Sequence, residues 1–461
     1  MATPDSTTLK HAVRSAALLL AGGAQDFDPL LERIGDAQVV LIGEASHGTQ
    51  EFYDLRADIT RRLIEEKGFT TVAVEADWPD AYRVDRYVRG QSPDRSAREA
   101  LGDFRDFPTW TWRNTEVVDF VDWLRLRNAE TGASQQAGFY GLDLYSLQPS
   151  IDAVIAYLRE TDPEAAARAR RRYACFSRYR DDPHAYGQAV SMGERRSCET
   201  PAAEQLRDLE RSAVPSGPAG DALFSALQNA RVFVNAERFY RTQSGAGHTS
   251  WNLRDAHMMQ TLQSLVQRGS NGRPARVVVW AHNSHVGDAR ATQMGPQGQI
   301  NLGQLARQQY PKATVLVGFS TYQGTVTAAS DWDRPAQRQT VRPGLPGSYE
   351  ALFHEVGLPA FQLRLNDASL AGLTTPRLQR AIGVVYQPRT ERASHYFGAS
   401  LTQQFDWMIH IDTTRALEPL EPGKRRPSGA PMQPLPRASG KRTGLRVIPQ
   451  DASSRYVSSA Y

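Results

Sequence analysis

Short runs of β-branched and other apolar residues recur along the chain, and most end in polar, reactive side chains. They fall at 38–45 (QVVLIGEA), 70–77 (TTVAVEAD), 138–144 (GFYGLDL) and 276–283 (RVVVWAHN), then at 313–320, 325–328, 381–386 and 407–412. Their apolarity is continuous rather than alternating. That predicts strands buried on both faces, as in a mostly parallel sheet covered by helices. Between the first two runs, Phe52, Leu55, Ile59, Leu63 and Ile64 recur at helical spacing over 51–67, and Gly68 follows. The pattern predicts a βαβ unit. The last runs are closely spaced, which predicts an antiparallel edge.

From Pro149 to about Arg268 the pattern changes to Ala, Arg, Gln and Glu at helical spacing, with no convincing strand. Helices are predicted over 152–160, 163–179, 202–213, 221–241 and 252–267. The expected architecture is α/β: a mixed, mostly parallel central sheet flanked by helices, with an inserted helical subdomain walling an active-site cleft. Residues 1–148 and 269–420 would form the α/β core, 149–268 the insertion, and 421–461 a basic Pro/Gly-rich tail too poor in apolar residues to fold. Near the N-terminus, Leu9, Val13, Ala17 and Leu20 read as one amphipathic helix rather than a signal peptide, because Asp5 interrupts a cationic start.

Composition narrows the class. With 461 residues, 9% aromatics and 23% charged residues, the chain is neither disordered nor fibrous. The net charge of +4 comes from the tail: seven cations lie between Lys424 and Arg446 with no acid, and without them the rest carries −3. The body therefore has no electrostatic case for nucleic acid, and no apolar run is long enough to span a bilayer. The tail reads as a solvated segment in preference to an RNA or membrane anchor. Two cysteines, Cys175 and Cys198, allow at most one bridge and no cysteine metal site. Their low number suits a reducing cytoplasm, the expected location. A monomer is expected.

In an open parallel sheet, ligands bind beyond the carboxyl ends of the strands. The first run delivers Glu44, Ser46, His47 and Thr49, and the second Glu75, Asp77 and Trp78. The third delivers Asp143 and Tyr145, and the fourth His282, Asn283 and His285. Singly, each could be a helix cap or a turn residue, and Thr49 and Asp143 suit N-caps. Together they predict one site. G-x-S-x-G, G-x-x-x-x-G-K-[ST], G-x-G-x-x-G and H-E-x-x-H are all missing. A histidine flanked by carboxylates suits general-base activation of water, because a carboxylate on one ring nitrogen fixes the tautomer and raises the basicity of the other. The same set could instead hold a divalent metal.

The motifs GEASHGTQEF, VAVEADW and WAHNSH resemble the erythromycin esterase family, within a wider superfamily of erythromycin-esterase-like and haem-uptake-protein-like folds. So do FPTWTW at 107–112 with Asn114 and Glu116, SWNLRDAHM around Arg254-Asp255, and TERASHYFGASLTQQFDWMIHID from Thr390. The resemblance spans about residues 25–420. It implies a carboxylic ester hydrolase that opens macrolide-type lactones by an activated water, without an acyl-enzyme or a cofactor. It places the general base on His47, its supporting acids on Glu44 and Glu75, and an arginine on Arg56. A second histidine pair falls on His282 and His285. Ser46, Asp77, Trp78, Trp112, Asp143, Tyr145, Arg254 and Asn283 are expected to line the substrate site. In the mechanism this suggests, Arg56 or a protonated member of the His282/His285 pair offsets oxyanion charge, and a histidine of that pair protonates the leaving alkoxide.

The expected partner is a small ester or lactone, macrolide-type or another natural product. The aromatic and arginine-rich helical stretch reads either as an amphipathic packing face or as a wall for an anionic or aromatic ligand. Two further readings share the cluster: a metal-dependent hydrolase using Glu44, His47, Glu75, His282 and His285 as ligands, and a binding or modifying protein with changed chemistry such as acyl transfer or elimination.

Overall fold

The computed structural model describes residues 6–213, 217–243, 248–269 and 273–421. Its strands, in chain order, are β1 (Leu18–Leu19), β2 (Val39–Ile42), β3 (Thr71–Asp77), β4 (Gly138–Asp143), β5 (Val277–Trp280), β6 (Thr314–Ala328), β7 (Gln337–Val341), β8 (Ala360–Arg364), β9 (Arg377–Arg380), β10 (Tyr396–Ala399) and β11 (Trp407–Thr414). One sheet runs in the order β1-β8-β11-β6-β2-β5-β3-β4, with β7 beside β6, while β9 and β10 form a separate hairpin. From β11 through β6, β2, β5 and β3 to β4 every pairing is parallel. Antiparallel partners are β8 on β11, β1 on β8 and β7 on β6. An antiparallel edge exists, but β8 and β1 make it; the late runs at 313–320 and 407–412, expected to form it, pair with each other in parallel.

Period-two geometry divides each central strand between two cores. Val40 and Ile42 face the helices Gln50–Lys67 and Thr115–Ala129, while Val39 and Leu41 face the helix His248–Gln267 and Phe353. All four residues of β2 and all four of β5 are buried, which is the physical reason for their unbroken apolarity. Each such side chain contributes roughly 1.5–3 kcal/mol of burial.

Between β4 and β5 the described chain forms helices at Leu147–Thr161, Pro163–Tyr173, Pro183–Ser191, Glu199–Glu210, Pro218–Thr242 and His248–Gln267, and no strand. They bury their own cluster around Leu147, Val154, Phe176, Tyr186 and Phe233. Here Cys175 and Cys198 are disulfide-bonded. Two cysteines so placed can bridge, so their low number lends no weight to a reducing compartment.

Several expectations change. Residues 325–328 are not a separate strand; they continue β6, because the polar residues Gln323 and Gly324 keep their pairing with β11. Residues 381–386 form no strand. They make single bridges, Ile382 to Ser46 and Val385 to Ala329, and the run is apolar because it is packed between the end of β6 and the loop after β2. The helix expected over 163–179 ends at Tyr173 and is followed by a short turn at Ser177–Tyr179. The N-terminal helix stops at Ala16. Leu9 and Val13 are buried as predicted, but Leu18 and Leu19 are exposed and pair with β8. No helix among the described residues is long and apolar enough to cross a membrane. The basic tail lies outside the described residues, save Glu421.

One contact fixes the loop after β2. The Gly48 carbonyl accepts from the N–H groups of Thr327 and Leu417, both at 2.9 Å. A β-carbon at Gly48 would stand 1.8 Å from the Thr327 carbonyl oxygen. Replacing Gly48 by Ala is therefore expected to force this loop off β6 and cost about 1–3 kcal/mol, as overpacking does. Urea unfolding of the variant against the wild type measures it, and an unchanged midpoint would refute the contact.

Candidate functional site

The four parallel strand ends meet at one rim. Past β2, Glu44 and His47 lie three residues apart in one loop, with Glu44 Oε1 at 2.8 Å from His47 Nδ1. The main chain holds His47 from two sides: its N–H donates to the Ile382 carbonyl at 3.3 Å, and its carbonyl accepts from the Tyr53 hydroxyl at 3.0 Å. Residues 381–386 thus help to position His47. The other Glu44 oxygen is 3.1 Å from Arg56 Nη2. Arg56 lies on the helix stripe Phe52, Arg56, Ile59, Leu63 and is wholly buried. Its guanidinium sits over the rings of Tyr53 at 4.2 Å and Trp280 at 5.2 Å. It stands behind Glu44, closed off from any substrate. The expectation that Arg56 meets an oxyanion is therefore corrected: it is placed to hold Glu44.

Arg254, on the helix His248–Gln267, joins three strand ends. Its Nε and Nη2 donate to Asp143 at the end of β4, the shortest contact being 2.6 Å. Nη2 also donates to Glu75 Oε1 of β3 at 2.7 Å, and Nη1 lies 2.9 Å from His285 Nε2 beyond β5. The remaining Glu75 oxygen accepts the His282 N–H at 2.8 Å. Asp143 is thus an arginine partner rather than the expected helix cap. Thr49 occupies the N-cap position but makes no cap bond, because its hydroxyl is bonded to Ser46.

The electrostatics separate the histidines. Burial opposes charge on His47, but the Glu44 hydrogen bond and the charges of Glu75 and Glu44 outweigh it and raise its pKa. His282, with its ring 4.8 Å from that of His47, is pushed well below the ordinary imidazole value by burial and then by His47. Its Nδ1 accepts from Ser284, and the Ala45 carbonyl also faces the ring. This favours the neutral form of His282, against its expected role as a protonated partner of an oxyanion. Burial alone would raise the Glu75 carboxyl; the His285 imidazole, the Arg254 guanidinium and the His47 imidazole reverse this and hold it well below the usual carboxylate range. Pairs of groups driven apart in this way mark acid–base sites.

Other expected site residues take different places. Tyr145 is 42% exposed, with Arg254 5.3 Å from its ring centre, so it can meet a ligand. Asp77 accepts the Ser146 N–H at 3.0 Å, and burial with Asp80, Asp143 and Asp106 nearby raises its pKa well above normal. Asp80, which the sequence reading missed, is pushed up to about 7 by burial and then by Asp103 and Asp106. Four residues expected to line the substrate site serve the scaffold instead. Trp78 is a core residue stacked on Tyr140. Trp112 donates to the Glu75 carbonyl at 3.2 Å, and the Asn283 amide donates to the Phe319 carbonyl at 2.7 Å. Ser46, with its hydroxyl on Thr49, is 1% exposed and faces no ligand. In the helical part, Arg172, Arg180 and Arg241 are ion-paired to neighbouring acids, which favours the packing reading for them.

A divalent ion does not fit this donor set. Arg254 already supplies the cation between Glu75 and Asp143, and Arg56 supplies it at Glu44. Among the described residues, no group of three or more His, Cys, Asp or Glu is arranged to hold a metal.

Comparison with known proteins places the chain. Over 144 residues it is 33% identical to erythromycin esterase type II of Escherichia coli, a match covering 30% of this chain and about a third (32%) of that protein. Over 400 residues it is 20% identical to YbfO of Bacillus subtilis (strain 168), covering 81% and 84% of the two chains. Its fold matches that of a Bacillus cereus protein (TM-score 0.76, 21% identity, 90% and 100% coverage). A succinoglycan biosynthesis protein is similar in fold (TM-score 0.73, 21% identity, 91% and 100% coverage). So is a histidine-to-asparagine mutant of erythromycin esterase EreC in its open conformation (TM-score 0.61, 14% identity, 85% and 94% coverage). The family model described as erythromycin esterase matches residues 64–414, most of the sequence, and the chain belongs to the erythromycin esterase family.

Proposed function

We propose that this chain is a carboxylic ester hydrolase that opens an ester or lactone with a water activated by His47, without a covalent acyl-enzyme. The observation that carries the reading is the His47–Glu44 pair. With Nδ1 donating to Glu44 at 2.8 Å, Nε2 is the nitrogen left to take a proton from water. The raised pKa gives His47 a basicity suited to that task near neutral pH. Two hydroxyls close to the histidines in sequence, Ser46 and Ser284, are buried and bonded locally, which supports direct attack by water over a serine nucleophile.

Arg254 takes the electrostatic role first considered for Arg56. Fixed donors facing developing negative charge are typically worth about 3–4 kcal/mol. The Tyr145 ring is partly exposed over Arg254, while desolvation at its hydroxyl raises the phenol pKa, so it keeps its proton as a donor to the carbonyl or leaving oxygen. The E. coli relative is an erythromycin esterase, so macrolactones belong in the substrate class, beside other natural-product esters.

Incubation with a panel of esters and lactones, erythromycin included, should give a product heavier by one water. The acid-quenched protein should keep its own mass; an acylated protein would overturn the mechanism. Replacing His47 by Ala should lower kcat/KM about 10²–10⁴-fold, and near-normal turnover would end the assignment. The base must be unprotonated, so the rate should rise with pH through a pKa above the ordinary value of about 6.5. Glu44→Gln removes the charge that raises this pKa. Its acid limb should move to lower pH while the plateau falls, and an unmoved limb would separate Glu44 from His47.

A further inference from the structure

The helix His248–Gln267 turns Trp251, Arg254 and Asp255 toward His285. The indole of Trp251 stacks on the imidazole, with centroids 4.5 Å apart and planes 11° from parallel. Asp255 is fully buried, and its oxygens lie 2.9 and 3.0 Å from His285 Nδ1. One of them also accepts the Leu302 N–H at 2.8 Å, which anchors the carboxylate to the first turn of the helix Leu302–Gln309. On the far side of the ring, Nε2 faces Arg254 Nη1 at 2.9 Å.

We infer that Asp255 is a positioning residue that holds His285 as the neutral imidazole with its proton on Nδ1, so that His285 serves Arg254 as a hydrogen-bond acceptor and carries no proton to or from substrate. A carboxylate can only accept, so the Asp255 side of the ring must donate. Arginine can only donate, so the other nitrogen must present its lone pair. A proton on Nε2 would set two N–H groups against each other at 2.9 Å. Glu75 Oε1, at 3.4 Å from Nε2, already has the stronger Arg254 contact at 2.7 Å, and its other oxygen has the His282 N–H, so these two hold Glu75 ionised without a charge on His285. With His285 as acceptor, Arg254 has partners at Asp143, Glu75 and His285, which fixes the rotation of its plane. This corrects the expectation that His285 protonates the leaving alkoxide. The consequence for turnover rests on the hydrolase reading above; the position of the proton does not.

The test is the 15N spectrum of histidine-labelled full-length protein near neutral pH, with the His285 signals identified by their loss in His285→Gln. The wild type should show a protonated Nδ1 and an unprotonated Nε2. A wild-type proton on Nε2, as the other tautomer or as imidazolium, would overturn the inference. Asp255→Leu removes the acceptor at Nδ1, so the His285 15N shifts should move from their wild-type values, and unmoved shifts would remove Asp255 from the positioning role. If that variant does not fold, the wild-type spectrum still decides. A second arm reads turnover of an ester from the panel. Gln at 285 can offer Arg254 an acceptor near the Nε2 position, whereas Leu cannot. His285→Gln should stay within about tenfold of wild type and His285→Leu should fall about tenfold or more further, the range of a hydrogen bond to a charged group. Equal losses in the two variants would mean that His285 carries a proton, against the inference. If the wild type turns over no ester, the hydrolase reading fails while the spectrum still settles the tautomer.

Discussion

A single buried guanidinium ties this molecule together. Arg254 comes from a helix, yet its partners are Asp143 at the end of β4, Glu75 near the end of β3 and His285 beyond β5. Each of those groups would be costly to bury alone. Breaking such a pair typically costs about 3–5 kcal/mol, because the partner is left charged and unsatisfied. The same contacts that join the helix to the sheet set the potential at the rim, holding Glu75 ionised. Glu44 and Glu75 in turn make His47 more basic, and burial, reinforced by His47, lowers the pKa of His282. Packing and chemistry share one set of ions.

Much of this was legible in the sequence, and the failures have physical causes. The parallel strands announce themselves because both faces of β2, β4 and β5 are buried. Periodicity finds the helices of the 149–268 stretch but misses Pro183–Ser191, which begins at the readable cap Asp182-Pro183 but is short and buries only Tyr186, Gly187 and Ala189. β8, paired with β11 and with the two-residue β1, is also missed: its five residues run too briefly to stand out, and one end of the strand is polar. At the site, motif positions come together, but motif membership did not say which way each residue faces. Arg56 could have been read as buried, since it falls on the apolar stripe of its own helix. Trp78 likewise shares a stripe with Ala81, Val84 and Val88. Asp255 was visible only as the neighbour of Arg254; its role depends on the ring of His285, thirty residues on.

Several motif residues outside the rim prove to be scaffold. Arg380 is buried with Glu391 and Tyr396 and donates to the carbonyls of Tyr322 and Arg342. His395 accepts the Gln387 N–H and Tyr386 bonds to Glu391, so the SHYFG stretch pins the β9–β10 hairpin. That hairpin adjoins residues 381–386, whose Ile382 brackets the loop of His47. A likeness built from such residues reports the support of the site as much as its chemistry.

The order of β2 in the sheet has a consequence for synthesis. β2 leaves the ribosome before both of its neighbours, β5 and β6, which are encoded more than two hundred residues later. The loop that carries His47 is bracketed by Ile382 and Leu417, close to the end of the described chain. A nascent chain holding all of the first four strands still lacks the partners that frame this loop. Closure entropy for such distant partners is spent before their contacts form. The His47 loop is thus made well before the segments that bracket it, and a chain that stops short of Leu417 lacks one side of its frame.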